Sequence, residues 1–212
     1  MVAGAWPHHC RPHVGRTTVR LRNAADWQYR LIAAPPHRRT VVRHNGGVSD
    51  ARVHVTFICT GNICRSPMAE KMFAEQIRQR GLSEKVRVTS AGTSGWHSGG
   101  AADERAVQVL HRHGYPGFHR AAEVNADHLS ADLVVALAGD HHTALARLGV
   151  PVPRLRMLRS FDPDSSSPAP DVEDPYYGDS ADFETTFAVI DAALPGLHSW
   201  LDERLDASRD GA

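Results

Sequence analysis

The chain has 212 residues, 42% hydrophobic and 23% charged, with a formal net charge of zero. That is the composition of a globular chain and excludes wholesale disorder. No apolar run approaches the roughly 20 residues of a membrane helix, Arg11, Arg16, Arg20 and Arg22 interrupt any secretory apolar core, and three cysteines (Cys10, Cys59, Cys64) exclude a disulfide framework and a four-cysteine zinc site.

These features lead to the expectation of a cytoplasmic protein in a reducing compartment, with no membrane partner. The zero balance hides an asymmetry. Residues 1–50 hold eight Arg, five His and four Pro against two acids, Asp26 and Asp50. They show no sustained period of 2 or 3.6, so a disordered extension is expected there. An arm for nucleic acid or a transit peptide would share this Arg-rich, acid-poor character. Ser49 as the segment's one serine argues against the transit peptide. A nonfunctional tail is the expectation, with no nucleic-acid partner. An alternative start at Val48, read from a GTG codon, would remove the tail. Peptides from residues 16–43 in the native protein would reject that alternative. Residues 51–207 are expected to form one domain, and residues 208–212 a flexible tail.

Residues 53–58 (Val-His-Val-Thr-Phe-Ile) are β-branched and aromatic, which suits a buried parallel strand. The strand runs into Cys59-Thr60-Gly61-Asn62-Ile63-Cys64-Arg65-Ser66-Pro67. Apolar residues at 68, 69, 72, 73 and 77 then mark a helical face, with Ser66 expected as N-cap, Pro67 in the first turn and Gly81 as the stop. A loop between strand end and helix start points backbone N–H groups at one spot, and the helix dipole adds positive potential: a site for a phosphate dianion. A thiolate at Cys59 is stabilised beside such donors and is expected to be nucleophilic. Arg65, with five residues between it and Cys59, can grip two phosphate oxygens with its planar fork. Cys64 within the loop reads either as a small buried hydrophobe or as a resolving thiol for an oxidised Cys59.

Further strand patterns fall at residues 85–89, 132–137 and 154–158, and helical patterns at 102–113 and 140–148. The His111/His113 and His141/His142 pairs lack the i, i+4 spacing of helical metal ligands, so surface histidines and no metal site are expected. A Ser/Pro-rich loop then offers five acids, Asp162, Asp164, Asp171, Glu173 and Asp174, as donors for a departing leaving group. The last segment, residues 180–205, is helical, with a kink or break expected at Pro195-Gly196. Alternating strand and helix imply a three-layer α/β/α fold on a parallel sheet, with the site at the carboxyl ends of the strands.

Three separated strings, Cys59 to Pro67, Ser90-Ala91-Gly92-Thr93-Ser94-Gly95-Trp96-His97 and Asp174-Pro175-Tyr176-Tyr177-Gly178, resemble the low-molecular-weight protein tyrosine phosphatases, especially the actinobacterial type. The resemblance covers about residues 53–206. It implies a four-stranded sheet and hydrolysis of phosphotyrosine through a phosphocysteine, with no metal or organic cofactor. It implies Cys59, Arg65 and Asp174 as catalytic groups, and Thr60, Gly61, Asn62, Ile63, Cys64 and Ser66 as the phosphate-binding loop. Trp96, His97, Tyr176 and Tyr177 would line the substrate pocket, and Ser90 and His119 would support the loop through Asn62. The implied partners are phosphotyrosine proteins and a tyrosine kinase acting on Tyr176 or Tyr177. Where many relatives carry Asp after the third strand, this chain has Ala138, and Asp140 is expected to cap the next helix instead. An arsenate reductase on the same scaffold is the alternative. Its relay form needs cysteines beyond Cys64, which the sequence lacks, leaving a form that uses an external thiol. A catalytically silent phosphotyrosine-binding module is disfavoured by Cys59, Arg65 and Asp174 occurring together.

Overall fold

The computed structural model describes residues 53–210, with side chains through 208. The expected extension and the alternative start lie outside the described residues. Strand β1 (Val53–Cys59) is buried along its whole length. It is followed by α1 (Arg65–Gln79), β2 (Val86–Gly92), α2 (Glu104–Arg112) and a single turn, α3 (Ala126–Leu129). Then come β3 (Leu133–Ala136), α4 (Gly139–Arg147), β4 (Leu155–Met157) and a long α5 (Ser180–Asp210). The sheet is four-stranded and parallel in the order β2-β1-β3-β4.

The pleat sorts β1 between two cores. Val55, Phe57 and Cys59 face a cluster with Met68, Met72 and Phe73 of α1, Val109 and Leu110 of α2, and Phe183, Ile190 and Leu197 of α5. Ile58 faces the other way, onto Val134, Ala136, Leu145, Val150 and Leu155. A strand covered on both faces is largely apolar, and its two buried polar residues, His54 and Thr56, are each hydrogen-bonded to Thr89 of β2. Because β1 connects outward to β2 while β3 lies on its other side, the chain reverses direction between β1 and β3. A crevice opens there at the strands' carboxyl ends.

Four sequence expectations are corrected. Ser66 does not cap α1; Cys64 occupies that position, and Ser66 lies inside the first turn with its hydroxyl turned to the loop. Asp140 does not cap α4: its carboxylate takes the N–H of its neighbour His141, while Asp171 reaches across to accept from Gly139 N at 2.8 Å. Helix α5 runs on through Pro195-Gly196, so of the expected kink or break it is the break that is overturned. The glycine is needed because the helix backbone presses on the Phe161 carbonyl, where a Cβ would not fit. His141 is a buried residue rather than a surface one. Pro67 does sit in the first turn, and Gly81 ends α1 with φ of 68°.

Candidate active site

The loop from Cys59 to Cys64 curls around its own first side chain. Asn62 has φ of 55°, a left-handed conformation that non-glycine residues rarely hold. Several contacts hold it there. Its side-chain Nδ2 donates to Ser66 Oγ at 2.9 Å and Ser90 Oγ at 2.8 Å, and its Oδ1 accepts from Ala122 N at 2.8 Å. The His119 ring nitrogen Nε2 lies 2.9 Å from the Asn62 carbonyl oxygen. The left-handed turn brings Asn62 N back to 3.3 Å from Cys59 Sγ. Gly92 pairs with Cys59 and lies against the Thr60 carbonyl, where a Cβ would come within 2.5 Å of the oxygen. The loop thus needs a bare backbone beside it.

Ser66 Oγ is 2.9 Å from Cys59 Sγ. With Cys59 as a thiolate, which can only accept, the Ser66 hydroxyl donates to the sulfur while its oxygen accepts from Asn62 Nδ2. Two donors therefore converge on Cys59, which is buried at the base of the cavity. Cys64 is also buried, and both cysteines are unpaired. Burial, with Asp103 and Cys59 near it, pushes the Cys64 thiol well up, so it stays protonated at neutral pH.

Behind the loop stands a carboxylate that the sequence reading missed. Glu70 of α1 accepts from Ser90 Oγ at 2.5 Å and from Lys71 Nζ at 2.6 Å, and lies 3.5 Å from His119 Nδ1. Burial pushes the Glu70 carboxyl up, but hydrogen bonds from His119, Lys71 and Ser90 outweigh it and bring the group down to about 2. Ser90 and His119 both hydrogen-bond to Asn62, and both reach Glu70 on their other side.

Arg65 opens α1 and is buried, with Nη1 donating to the Val172 carbonyl at 3.2 Å and Nη2 to Asp174 Oδ2 at 2.7 Å. Its Nε is a buried donor with no partner among the described residues. Asp174 is half-exposed at the rim. His141, also missed, spans the crevice: its Nε2 is 2.9 Å from Thr60 Oγ1. Burial, aided by Arg65, pushes its imidazole down, so it is neutral at pH 7. No sequence signal separates it from its neighbour His142. Only the helix start at Gly139 turns it inward.

These groups surround a cavity of about 340 Å³ lined by Cys59, Thr60, Gly61, Ile63, Cys64, Arg65, Ser94, Trp96, His97, Asp174, Tyr176 and Tyr177. All four expected pocket residues border it. Trp96 and Tyr177 form its outer lip rather than its walls, being 87% and 94% exposed. Tyr176 packs edge-on against Tyr177, with ring centroids 5.0 Å apart. Among the described residues no group of three His, Cys, Asp or Glu side chains is arranged to hold a metal ion.

Residues 54–208 match the description "Low molecular weight phosphotyrosine protein phosphatase". The chain is 67% identical over 153 residues to the low molecular weight protein-tyrosine phosphatase A of Mycobacterium tuberculosis, covering 72% of this chain and 94% of that one. A crystal structure of the Entamoeba histolytica protein tyrosine phosphatase superposes with a TM-score of 0.66 at 29% identity, covering 71% of this chain and 97% of the other. A YwlE arginine phosphatase mutant with a phosphorylated active site serine superposes at 0.62 and 29%, covering 70% of this chain and 95% of the other. With a nucleophile-bearing anion loop, a guanidinium and a rim carboxylate held on this sheet, the chain belongs to the low molecular weight phosphotyrosine protein phosphatase family.

Proposed function

We infer that the protein is a protein-tyrosine phosphatase that hydrolyses phosphotyrosine through a phosphocysteine. One observation carries the reading: the left-handed Asn62 turns the loop so that Cys59 Sγ and the Arg65 fork meet at one cavity, with Asp174 at its edge. Cys59 attacks phosphorus in line with the leaving phenol oxygen, and the S–P bond forms as the P–O bond breaks. Loop N–H groups and Arg65 hold the equatorial oxygens through the transition state. The Nε of Arg65, without a partner among the described residues, finds its acceptor in the phosphoryl group. The same movement of charge releases Asp174 from Arg65 Nη2. Once that ion pair opens, Asp174 takes up a proton from solvent, passes it to the departing phenolate and, in the second half-reaction, takes a proton from the water that cleaves the S–P bond and releases the Cys59 thiolate.

The apolar entrance formed by Ile63, Trp96, Tyr176 and Tyr177 supports a planar aryl ester over a serine ester. The YwlE neighbour, named as an arginine phosphatase, makes phosphoarginine the second substrate class to test. Phosphotyrosine, phosphoserine and phosphoarginine peptides would be compared, with the tyrosine ester expected to turn over fastest. Cys59→Ser should abolish turnover, and Asp174→Ala should lower it roughly 100-fold or more. Turnover that survives in Cys59→Ser would overturn the mechanism. Arsenate reduction without ester hydrolysis would restore the arsenate reductase alternative. Tyr177 stands almost fully in solvent, which supports its modification by a tyrosine kinase. A phosphate there would place a dianion at the cavity lip.

A further inference from the structure

The segment that carries Asp174 is tied to the body of the protein on both sides. On its N-terminal side Val172 N donates to the Leu137 carbonyl and Asp171 accepts from Gly139 N, each at 2.8 Å. On its C-terminal side, Asp179 N–H is held by Asp182 of α5, while across residues 175–178 the hydrogen bonds from another element come, among the described residues, from one side chain, Arg105 of α2. Its Nη1 donates to the Gly178 carbonyl at 2.7 Å and its Nη2 to the Tyr176 carbonyl at 3.0 Å. The rest of the guanidinium is fixed in turn. Nε and Nη2 grip the two Asp103 carboxylate oxygens at 3.0 and 2.8 Å, and the plane lies over the Phe183 ring at 4.5 Å. Asp103 belongs to the phosphate loop's surroundings as well, because its backbone N–H donates to the Ile63 carbonyl at 2.8 Å.

Arg105 therefore links the phosphate loop to the acid segment by a route that avoids Arg65. That route matters during turnover. When Arg65 exchanges Asp174 for a phosphoryl group, the acid loses its own charge partner and its position depends on the backbone that carries it. We propose that Arg105 is the positioning residue for the general acid, holding the Pro175–Tyr177 turn so that Asp174 stays within reach of the leaving oxygen once Arg65 has turned to the substrate. The proposal rests on the assignment of Asp174 as the acid.

The test separates the two claims. kcat/KM would be measured with p-nitrophenyl phosphate, whose phenolate leaves readily, and with phenyl phosphate, whose phenolate needs the proton. The proteins are the wild type, Arg105→Ala, Arg105→Lys, Asp174→Ala and the Arg105→Ala/Asp174→Ala double variant. Thermal melts accompany the kinetics, and Arg105→Lys, which keeps the charge but not the fork, serves if the alanine variant folds poorly. The Arg105 variants are expected to lose about tenfold more on phenyl phosphate than on p-nitrophenyl phosphate, in the pattern of Asp174→Ala but smaller. In the Asp174→Ala background, Arg105→Ala should change the phenyl phosphate rate by less than about twofold. Equal losses on both esters, or an undiminished loss in the double variant, would overturn the positioning role. If Asp174→Ala fails to distinguish the esters, the acid assignment falls and this proposal with it.

Discussion

Ser66 shows how much one hydroxyl contributes. It has a single proton, receives the Asn62 amide, and sits 2.9 Å from Cys59 Sγ, so it passes the polarisation of the loop scaffold on to the nucleophile. Hydrogen bonds to a charged group contribute about 1.5–3 kcal/mol. Ser66→Ala should therefore reduce kcat by about 10- to 100-fold with little change in KM, and an unchanged kcat in steady-state assays would reject this role. Cys59, Arg65 and the loop between them were legible because their chemistry is written in adjacent residues. Glu70, Arg105 and His141 were not. A Glu on a helix, an Arg near a helix start and one His of a pair look ordinary until the fold brings Ser90, the Tyr176 carbonyl and Thr60 to them. The hydroxyl of Ser66 was misassigned for the same reason. A serine before a helical pattern reads as a cap, and only the curl of the loop shows that Cys59 and Asn62 have stronger claims on it.

At the level of elements, periodicity located β1, α1 and α5 but misjudged their edges. Strand β2 continues through Ser90, Ala91 and Gly92, beyond the pattern at residues 85–89, because it pairs with Phe57, Ile58 and Cys59 and because small residues are needed beside the loop. Helix α5 runs through Pro195-Gly196 because packing outweighs propensity: Ile190, Leu194, Leu197 and Leu201 are buried on both sides of the pair. The close approach of Gly196 to the Phe161 carbonyl makes a clear prediction. Gly196→Ala removes a flexible residue from a helix, which alone would stabilise by up to about 1 kcal/mol. Here the added methyl must push backbone apart, and the variant should instead lose about 1–3 kcal/mol in urea denaturation. A gain in stability would show that α5 can shift without penalty.

Across the whole molecule, the buried titratable groups set the response to acid. Burial pushes His54, His128, His141 and His198 down in the folded state. The unfolded chain therefore binds more protons near pH 6.5, and the stability present above that value is lost as the pH falls below it. Glu70 adds a second window. With its folded value at about 2, its contribution is complete above the ordinary glutamate range near 4.3 and disappears between there and about pH 2. Denaturation measured from pH 7.5 to 3 should show both declines. His141→Gln should weaken the first and Glu70→Gln the second, and a Glu70→Gln profile parallel to the wild type below pH 4.5 would count against the carboxylate's role. The parallel α/β plan, the Cys59 to Arg65 loop and the family were readable along the chain, because strand patterning and an unbroken nine-residue string are local properties. The tertiary structure decided the rest. Which carboxylate anchors the loop and which arginine ties the acid segment down depend on side chains distant in sequence meeting around the crevice, and only the folded packing fixes those distances.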